Sequence, residues 1–207
     1  MKNLNDFEQG LEARVGRSTD MRPFVCNGSP LKCRVFIVGF NPATTMTASF
    51  WDFWQSGYGF DKKAWFDEYK KDRAARPLKP GKTRRNSVSN TRRVIDWITE
   101  AASPYDCLET NIYSLPSDDK NGLRQAGRDT TSFTFLLECI KPSVIVAHGE
   151  DAIREMLSLA PPAHVIPVKH FSRGWSQKAA RALGEEIKSR MCEAGQQPLS
   201  SGFQLII

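Results

Sequence analysis

The stretch VFIVGFNPATT, from Val35 to Thr45, decides the fold because an apolar run ends directly in a polar turn. Residues 35–38 show no alternation with polar residues, which is typical of a strand buried on both faces of a sheet. Gly39 and the Asn41-Pro42 pair then predict a turn. An asparagine in such a turn lies where a ligand can reach it, so the stretch predicts both a core strand and a candidate site.

Outward from this stretch, strands alternate with helices. Three more segments have the composition of strands: CLETNIYSLP (107–116), SVIVAHG (143–149) and HVIPVKH (164–170). Helical patterns cover 3–15, opened by Asn3 or Asn5, then 89–102, capped near Asn90 or Thr91, then 129–141, 150–160 and 176–194. The terminal FQLII predicts an edge strand. We therefore expect one α/β domain over 1–207, a three-layer α/β/α fold with a central, mainly parallel, four-stranded sheet.

Polar residues follow each predicted strand at its carboxyl end. They are Asn41, Asn111, His148 and His170. Ligands of open α/β sheets bind beyond the carboxyl ends of the strands, so these four side chains are expected at one edge. Each has a structural alternative: Asn41 forms the turn, Asn111 caps its strand, His148 lines the turn before a helix, and His170 lies on the surface.

Composition narrows the class of protein. The hydrophobic fraction of 40% indicates a globular chain, and the net charge of +6 favours an anionic partner such as nucleic acid, although a merely basic protein is the alternative. The five cysteines are odd in number and contain no Cys-x-x-Cys motif, and Cys26 and Cys33 have an uncommon spacing for a metal site. With no apolar run of about 18 residues and no signal region, we expect a cytoplasmic, reduced protein that does not enter membranes.

The segment from about 52 to 88 interrupts the alternation of strands and helices. It begins with many aromatic residues and continues into a basic cluster that includes Arg84 and Arg85. Residues 61–93 contain twelve lysines and arginines and four acids. The net positive charge of this segment is therefore larger than that of the whole chain. The segment is interpreted either as a solvated loop or as a phosphate-binding surface with interleaved aromatic rings.

Two motifs resemble the uracil-DNA glycosylase superfamily over roughly residues 33–190, apart from the segment at 52–88. The first is Gly39-Phe40-Asn41-Pro42-Ala43 at the end of a strand, which is similar to the branch that removes mismatched uracil and thymine. The second is His170-Phe171-Ser172-Arg173-Gly174-Trp175-Ser176, which is similar to the strand end and DNA-probing loop of that superfamily.

The resemblance implies a role for each matching residue. Asn41 would orient a water, and His170 would stabilise the departing base; these are the candidate catalytic residues. Phe40, Phe50 and Asn111 would contact the base, with Phe50 stacking on the ring. The candidate DNA contacts are Ser172, Arg173, Trp175, Arg84 and Arg85. The implied enzyme is a monomer that acts on uracil-containing or mismatched DNA, with no metal and no organic cofactor.

The chain also departs from the pattern of that superfamily. Phe171 replaces a proline of the second motif, and an asparagine rather than an aspartate at position 41 predicts weak general-base catalysis. Ala43 replaces the tyrosine that excludes thymine in the strict uracil branch, so selectivity for the base stays open. The cysteines do not match the iron–sulfur branches. Two other functions remain as alternatives: a catalytically weak protein that binds nucleic acid or a nucleobase, and a hydrolase of small nucleotides or nucleosides.

Overall fold

A parallel sheet built around the strand Val35–Gly39 forms the centre of the protein. A computed structural model describes residues 3–42, 46–78, 80–81, 83–117 and 128–196. Its strands are β1 (Phe24–Val25), β2 (Val35–Gly39), β3 (Trp54–Gln55), β4 (Gly59–Phe60), β5 (Cys107–Asn111), β6 (Val144–His148) and β7 (His164–Val168). The helices of the described residues are α1 (Leu4–Val15), α2 (Lys62–Ala75), α3 (Asn90–Ala102), α4 (Thr131–Ile140), α5 (Glu150–Leu159) and α6 (Gln177–Gln196).

The main sheet has five strands in the order β1-β5-β2-β6-β7. Strands β5, β2, β6 and β7 are parallel, and the register aligns Gly39 with Asn111 and His148 with Val168. The chain passes from β2 to a strand on one side and then to a strand on the other, so β2 adjoins the point where the direction of winding changes. In open α/β sheets the ligand crevice lies at such a point.

Helices pack on both faces of this sheet. One core joins Phe36 and Val38 of β2 to α1, α4 and α5, and the other joins Val35 and Ile37 to α3 and α6. All four side chains are at most 1% exposed, because the apolar run has no solvent-facing side. The predicted α/β fold with a mainly parallel sheet is therefore confirmed, and its helical layers on both faces are compatible with a three-layer arrangement.

The sequence prediction missed the fifth strand, β1. Its two residues pair antiparallel with β5, placing Phe24 opposite Thr110 and Val25 opposite Glu109. Two residues within a turn-rich segment show no measurable alternation, so the strand exists only because β5 offers an open edge. The predicted terminal edge strand at 203–207 lies outside the described residues.

Hydrogen bonds define the starts of two helices. The side chain of Asn3 accepts from the backbone nitrogen of Asp6 and caps α1, as one of the two predicted caps. Helix α3 is capped by Ser89, which accepts from the backbone nitrogen of Arg92, so the prediction of Asn90 or Thr91 was wrong by one or two residues. Serine, asparagine and threonine compete at this position because all three supply a short side-chain acceptor.

The segment at 52–88 is not a solvated loop throughout. It contains the β3–β4 hairpin and α2, and its rings Phe53, Trp54 and Phe60 are at most 8% exposed. The hairpin approaches the N-terminal region, where Gly28 and Phe60 exchange backbone hydrogen bonds of 2.9 Å. The aromatic half of the segment is therefore part of the core. Among the described residues, no helix combines the length and apolarity needed to cross a membrane.

Helix α6 packs tightly against α3 at Gly184. A β-carbon there would lie 2.5 Å from Cβ of Ala101 and 2.7 Å from the carbonyl oxygen of Ile98. We expect Gly184→Ala to lower the free energy of unfolding by about 1–3 kcal/mol through overpacking. Helix propensity alone would raise it by about 1 kcal/mol. Urea denaturation distinguishes the two signs, and stabilisation by the alanine would contradict the close approach.

The exposed Ala182 in the interior of the same helix is the matched control. Ala182→Gly should lower the free energy of unfolding by about 1 kcal/mol, the ordinary propensity difference in a helix interior, because the side chain is exposed.

Candidate active site

A cavity of about 310 Å³ opens at the carboxyl-terminal edge of the sheet. It collects residues from β1, β2, β5 and β6 and from the loops and helices that follow them. Asn41, Asn111, His148 and His170 all line it, so the predicted convergence of strand-end residues is observed. The remaining lining residues are Arg22, Phe24, Val25, Ile37, Pro42, Met46, Trp65, Tyr69, Ser89, Thr91, Arg92, Ile95, Glu109 and Thr110.

Asn41 is held in one orientation by the backbone. Its Nδ2 group donates to the carbonyl oxygen of Ser117 at 3.1 Å and to that of Pro42 at 3.3 Å. Because the amide nitrogen is used in this way, the carbonyl oxygen Oδ1 is the group that can accept a hydrogen bond in the cavity. Asn41 therefore forms the turn and also presents an acceptor to the cavity. The structural role and the ligand-binding role predicted from the sequence are compatible. Ala43, the next residue but one, lies outside the described residues.

Gly39 allows two polar side chains to meet at the end of β2. A β-carbon on Gly39 would lie 2.5 Å from Oδ1 of Asn111 and 3.0 Å from Nε2 of His148. Asn111 ends β5 and His148 ends β6, on either side of β2. Their side chains occupy the space that any larger residue at position 39 would need. The glycine is thus required by the site rather than by backbone conformation.

His170 presents a defined tautomer. The backbone nitrogen of Ser172 donates to Nδ1 of His170 at 3.2 Å, and the Ser172 hydroxyl lies 2.8 Å from the same atom. An Nδ1 that accepts an N–H bond carries no proton, so the neutral ring has its proton on Nε2. Burial lowers the pKa of His170, although the residue keeps solvent contact, and this favours the neutral ring. His170 is therefore a hydrogen-bond donor through Nε2.

His148 packs between His170 and Phe171. Its ring stacks on Phe171 at 4.3 Å between centroids and meets His170 edge-on at 5.1 Å. Burial, and secondarily the neighbouring His170, lowers the pKa of His148 to about 3, so the ring is uncharged at neutral pH. Phe171, which stands where the related motif has proline, is fully buried and packs against His148.

A buried ion cluster that sequence reasoning missed forms another wall of the cavity. Glu109 of β5 pairs with Arg92 of α3 and with Lys62 of α2, whose Nζ lies 2.8 Å from Oε1 of Glu109. Burial raises the pKa of Glu109, but the two cations outweigh this effect and lower it to about 2. The one sequence signal for this cluster was the position of Glu109 within a predicted strand. A glutamate is seldom buried without a partner of opposite charge.

The aromatic wall differs from the prediction. Phe50 lies in the core, stacked on Phe60 at 5.2 Å, and Phe24 separates it from the cavity with a ring contact of 5.0 Å. The structure therefore does not bring Phe50 to a ligand. Trp65 and Tyr69 of α2 line the cavity instead, with their rings stacked at 5.6 Å. The segment at 52–88 thus covers one side of the site.

Phe40 is also outside the cavity lining. Its half-buried ring packs edge-on against Tyr113 at 5.1 Å, with the guanidinium of Arg128 5.7 Å from the ring centroid. Alternation along the chain turns Phe40 away from the face that carries Asn41. Phe40 therefore positions the loop through packing.

Of the predicted DNA contacts, three lie together beside the cavity. Ser172, Arg173 and Trp175 border a separate hollow of about 170 Å³, which Arg93 and Trp97 of α3 complete. Arg173 is exposed, and Trp175 is half-buried against Phe171 with its Nε1 donating to the carbonyl oxygen of Lys169 at 3.3 Å.

The other two predicted DNA contacts, Arg84 and Arg85, have different surroundings. Arg84 is exposed, whereas Arg85 donates to the carbonyl oxygens of Arg73, Arg76 and Pro77. These carbonyls belong to the end of α2 and the residues after it, so the Arg85 guanidinium satisfies unpaired backbone acceptors. We assign Arg85 a structural role in place of the predicted contact.

Cysteines contribute to packing near this region. Cys26 and Cys33 are fully buried, and burial raises the pKa of Cys26 well above its usual range. Cys107 and Cys139 are partly buried and pack against the cores. Within the described ranges, no group of three or more histidine, cysteine, aspartate or glutamate side chains is arranged to hold a metal ion.

No protein-family model matches this chain, and no curated protein matches it. The functional argument therefore depends on the geometry of the cavity and on the two motifs.

Proposed function

We propose that this protein is a uracil-DNA glycosylase-like enzyme, which hydrolyses the N-glycosidic bond of uracil or a related base flipped out of DNA. The observation that carries the proposal is that Asn41, Asn111 and His170 share one cavity at the carboxyl edge of the sheet. Asn41 and His170 occupy matching places in the two motifs that resemble the superfamily, and Asn111 ends β5, which lies between them in the chain. An enzyme that acts on a base must extrude it, because the bond is inaccessible within the duplex.

Asn41 positions the attacking water. Its Nδ2 is committed to backbone carbonyls, and its Oδ1 accepts one hydrogen of a water that faces C1′ of the sugar. The water oxygen bonds to C1′, the bond from C1′ to the base nitrogen breaks, and its electron pair leaves with the base. The proton lost by the water passes to solvent or to the base. The products are a free base and an abasic sugar.

His170 stabilises the leaving group. Negative charge develops on a carbonyl oxygen of the base as the bond breaks, and the Nε2 proton of His170 can donate to that oxygen. The donor remains neutral because Ser172 occupies Nδ1 and burial lowers the pKa of the ring. A donor fixed before the reaction needs no reorganisation when the charge appears.

Asn111 and α2 complete a site for a flat polar ring. The Asn111 amide supplies a donor and an acceptor, which suits the edge of a pyrimidine. Trp65 and Tyr69 provide aromatic surface in the lining for a base to contact. We therefore propose that Trp65 and Tyr69 of α2, rather than Phe50, contact the face of the base.

The proposed catalysis depends on positioning, because the described lining offers no free carboxylate to act as a general base. Glu109 is the one carboxylate in the described lining, and both of its oxygens pair with cations. This observation also supports the second candidate function, a protein of the same fold that binds a nucleobase or nucleic acid with little turnover. Release of free base from uracil-containing oligonucleotides distinguishes the two functions.

The proposed partner is DNA, bound by a monomer. Arg173, Arg93 and the half-buried Trp175 lie beside the cavity and present positive charge and aromatic surface. Phosphate contacts of this kind make binding fall steeply with salt concentration.

Gly39→Ala tests whether Asn111 and His148 must meet at the end of β2. The added methyl would displace Oδ1 of Asn111, from which it would lie 2.5 Å. A displacement of about 1 Å at a catalytic site costs up to ~100-fold in rate, so we expect kcat/KM for base release to fall by one to two orders of magnitude. Thermal unfolding should shift little, because the obstructing atoms belong to side chains. An unchanged kcat/KM would show that the position of Asn111 is unimportant.

A further inference from the structure

Buried nitrogen atoms without hydrogen-bond partners concentrate at the cavity. Five such atoms occur among the described residues, and four belong to residues that line it: Nε and Nη1 of Arg22, Nη1 of Arg92, and Nδ1 of His148. A buried donor left unpaired is costly and rare in folded proteins. Because four of the five belong to residues around one cavity, we infer that a bound ligand supplies their hydrogen-bond partners.

Two of these groups are guanidinium cations on different elements. Arg22 precedes β1, and Arg92 lies on α3 with only 6% of its surface exposed. Nη2 of Arg92 bonds Glu109, while Nη1 lies 3.9 Å from Asp96, beyond hydrogen-bond distance. Arg92 is thus held by Glu109 through Nη2, while the buried Nη1 has no hydrogen-bond partner among the described residues.

The described lining of the cavity contains more guanidinium cations than carboxylates. Glu109 is shared by Arg92 and Lys62, so two cations already offset one carboxylate. Arg22 makes no ion pair with a described carboxylate; its Nη2 donates to the carbonyl oxygen of Met46 at 2.6 Å. Burial lowers the pKa of Arg22, and attraction to the carboxylates of Asp20, Asp72 and Asp52 offsets this effect only in part. The described lining therefore contains two guanidinium cations and one carboxylate, and a bound anion would offset the difference.

We propose that Arg22 and Nη1 of Arg92 form an anion subsite, which holds a phosphate group of the nucleotide whose base contacts Asn111. This inference deepens the proposed function and rests on it for the identity of the base. Guanidinium groups bind phosphate oxygens strongly, and Nε and Nη1 of Arg22 both lack a hydrogen-bond partner among the described residues. The volume of about 310 Å³ lies at the lower end of pockets that enclose drug-sized molecules, which allows more than a bare pyrimidine.

The phosphate has two sources, the backbone of DNA or a free nucleotide, and calorimetric titration separates them. The ligands are deoxyuridine, its 3′- and 5′-monophosphates, inorganic phosphate, and a single-stranded oligonucleotide with one deoxyuridine. A second oligonucleotide carries uncharged methylphosphonate linkages on both sides of that deoxyuridine. Two pairs are compared: a deoxyuridine monophosphate with deoxyuridine, and the charged oligonucleotide with its methylphosphonate analogue. For the wild type we expect the charged member of at least one pair to bind about tenfold tighter than the uncharged member.

Arg22→Gln should remove most of this preference for the charged ligand, and Arg22→Lys should restore part of it. Arg34→Gln is the matched control, because Arg34 is exposed at the opposite end of β2 and loses the same charge. The inference is overturned if the wild type shows no preference for phosphate in either pair, if Arg22→Gln retains it, or if Arg34→Gln loses as much. Thermal unfolding of each variant in the absence of ligand verifies that it is folded.

The outcomes also separate this inference from the proposed function. Phosphate-dependent binding that needs Arg22, without release of base from any oligonucleotide, would refute the glycosylase and retain the anion subsite. Release of base that is indifferent to the methylphosphonates and to Arg22 would retain the glycosylase and refute the subsite.

Discussion

Asn41→Ala is expected to slow the release of uracil from an oligonucleotide by about 10²–10³-fold, with His170→Ala causing a loss of similar size. Removal of one fixed hydrogen-bonding group that acts in the transition state has effects of this order. Asn41→Ala removes the acceptor that orients water, and His170→Ala removes the donor to the departing base. We expect kcat to fall while the affinity for the oligonucleotide changes little, because both groups act mainly in the transition state.

The measurement uses labelled oligonucleotides with one uracil, single-stranded or opposite guanine or adenine, followed by alkali to cleave abasic sites. Asn27→Ala and His164→Ala are matched controls, since both residues are exposed and outside the cavity. Cleavage by the wild type that disappears in both site variants, and persists in both controls, would support the mechanism. Absence of cleavage by folded wild-type protein in excess over the oligonucleotide would refute excision of uracil. Retained binding would then favour the binding function.

Glu109→Gln is expected to lower the free energy of unfolding at pH 7 by about 3–5 kcal/mol, the usual cost of breaking a buried ion pair. The substitution removes the carboxylate that Arg92 and Lys62 share and leaves Arg92, only 6% exposed, with Asp96 at 3.9 Å. Guanidinium denaturation at constant pH measures the loss. The control is Glu100→Gln, because Glu100 pairs with Arg181 on the surface and such pairs contribute at most about 1 kcal/mol.

The same carboxyl predicts how stability depends on pH. In the folded protein the pKa of Glu109 is about 2, below its ordinary value of 4.5, so the unfolded chain binds the proton more readily. The contribution of Glu109 is therefore complete above about pH 4.5 and declines as the pH falls toward 2. The difference in stability between wild type and Glu109→Gln should narrow over this interval. A difference that stays constant down to pH 2 would show that the Glu109 carboxyl is not tied to its cations.

Local sequence patterns were sufficient for features that depend on nearest neighbours along the chain. The unbroken apolar run at 35–38 predicted a strand buried on both faces, and β2 is one. Polar residues directly after strands predicted a shared edge, and Asn41, Asn111, His148 and His170 line one cavity there. These predictions succeed because parallel strands necessarily place their carboxyl ends on the same side of a sheet.

Features that depend on distant partners were missed. Glu109, Arg92 and Lys62 are separated along the chain and meet only when α2 and α3 pack over β5. Phe50 could not be distinguished from its aromatic neighbours, since each has the same local composition and only packing assigns Phe50 to the core and Trp65 to the cavity. The two residues of β1 became a strand because the edge of β5 was open.

By itself, the sequence determined the α/β alternation and the polar edge of the sheet, because both follow from hydrophobic periodicity and from the direction of parallel strands. Only the tertiary structure decided which aromatic rings and charged groups surround the cavity. Burial of a charge or a ring is set by the elements that pack against it, and that information is spread over residues far apart in the chain.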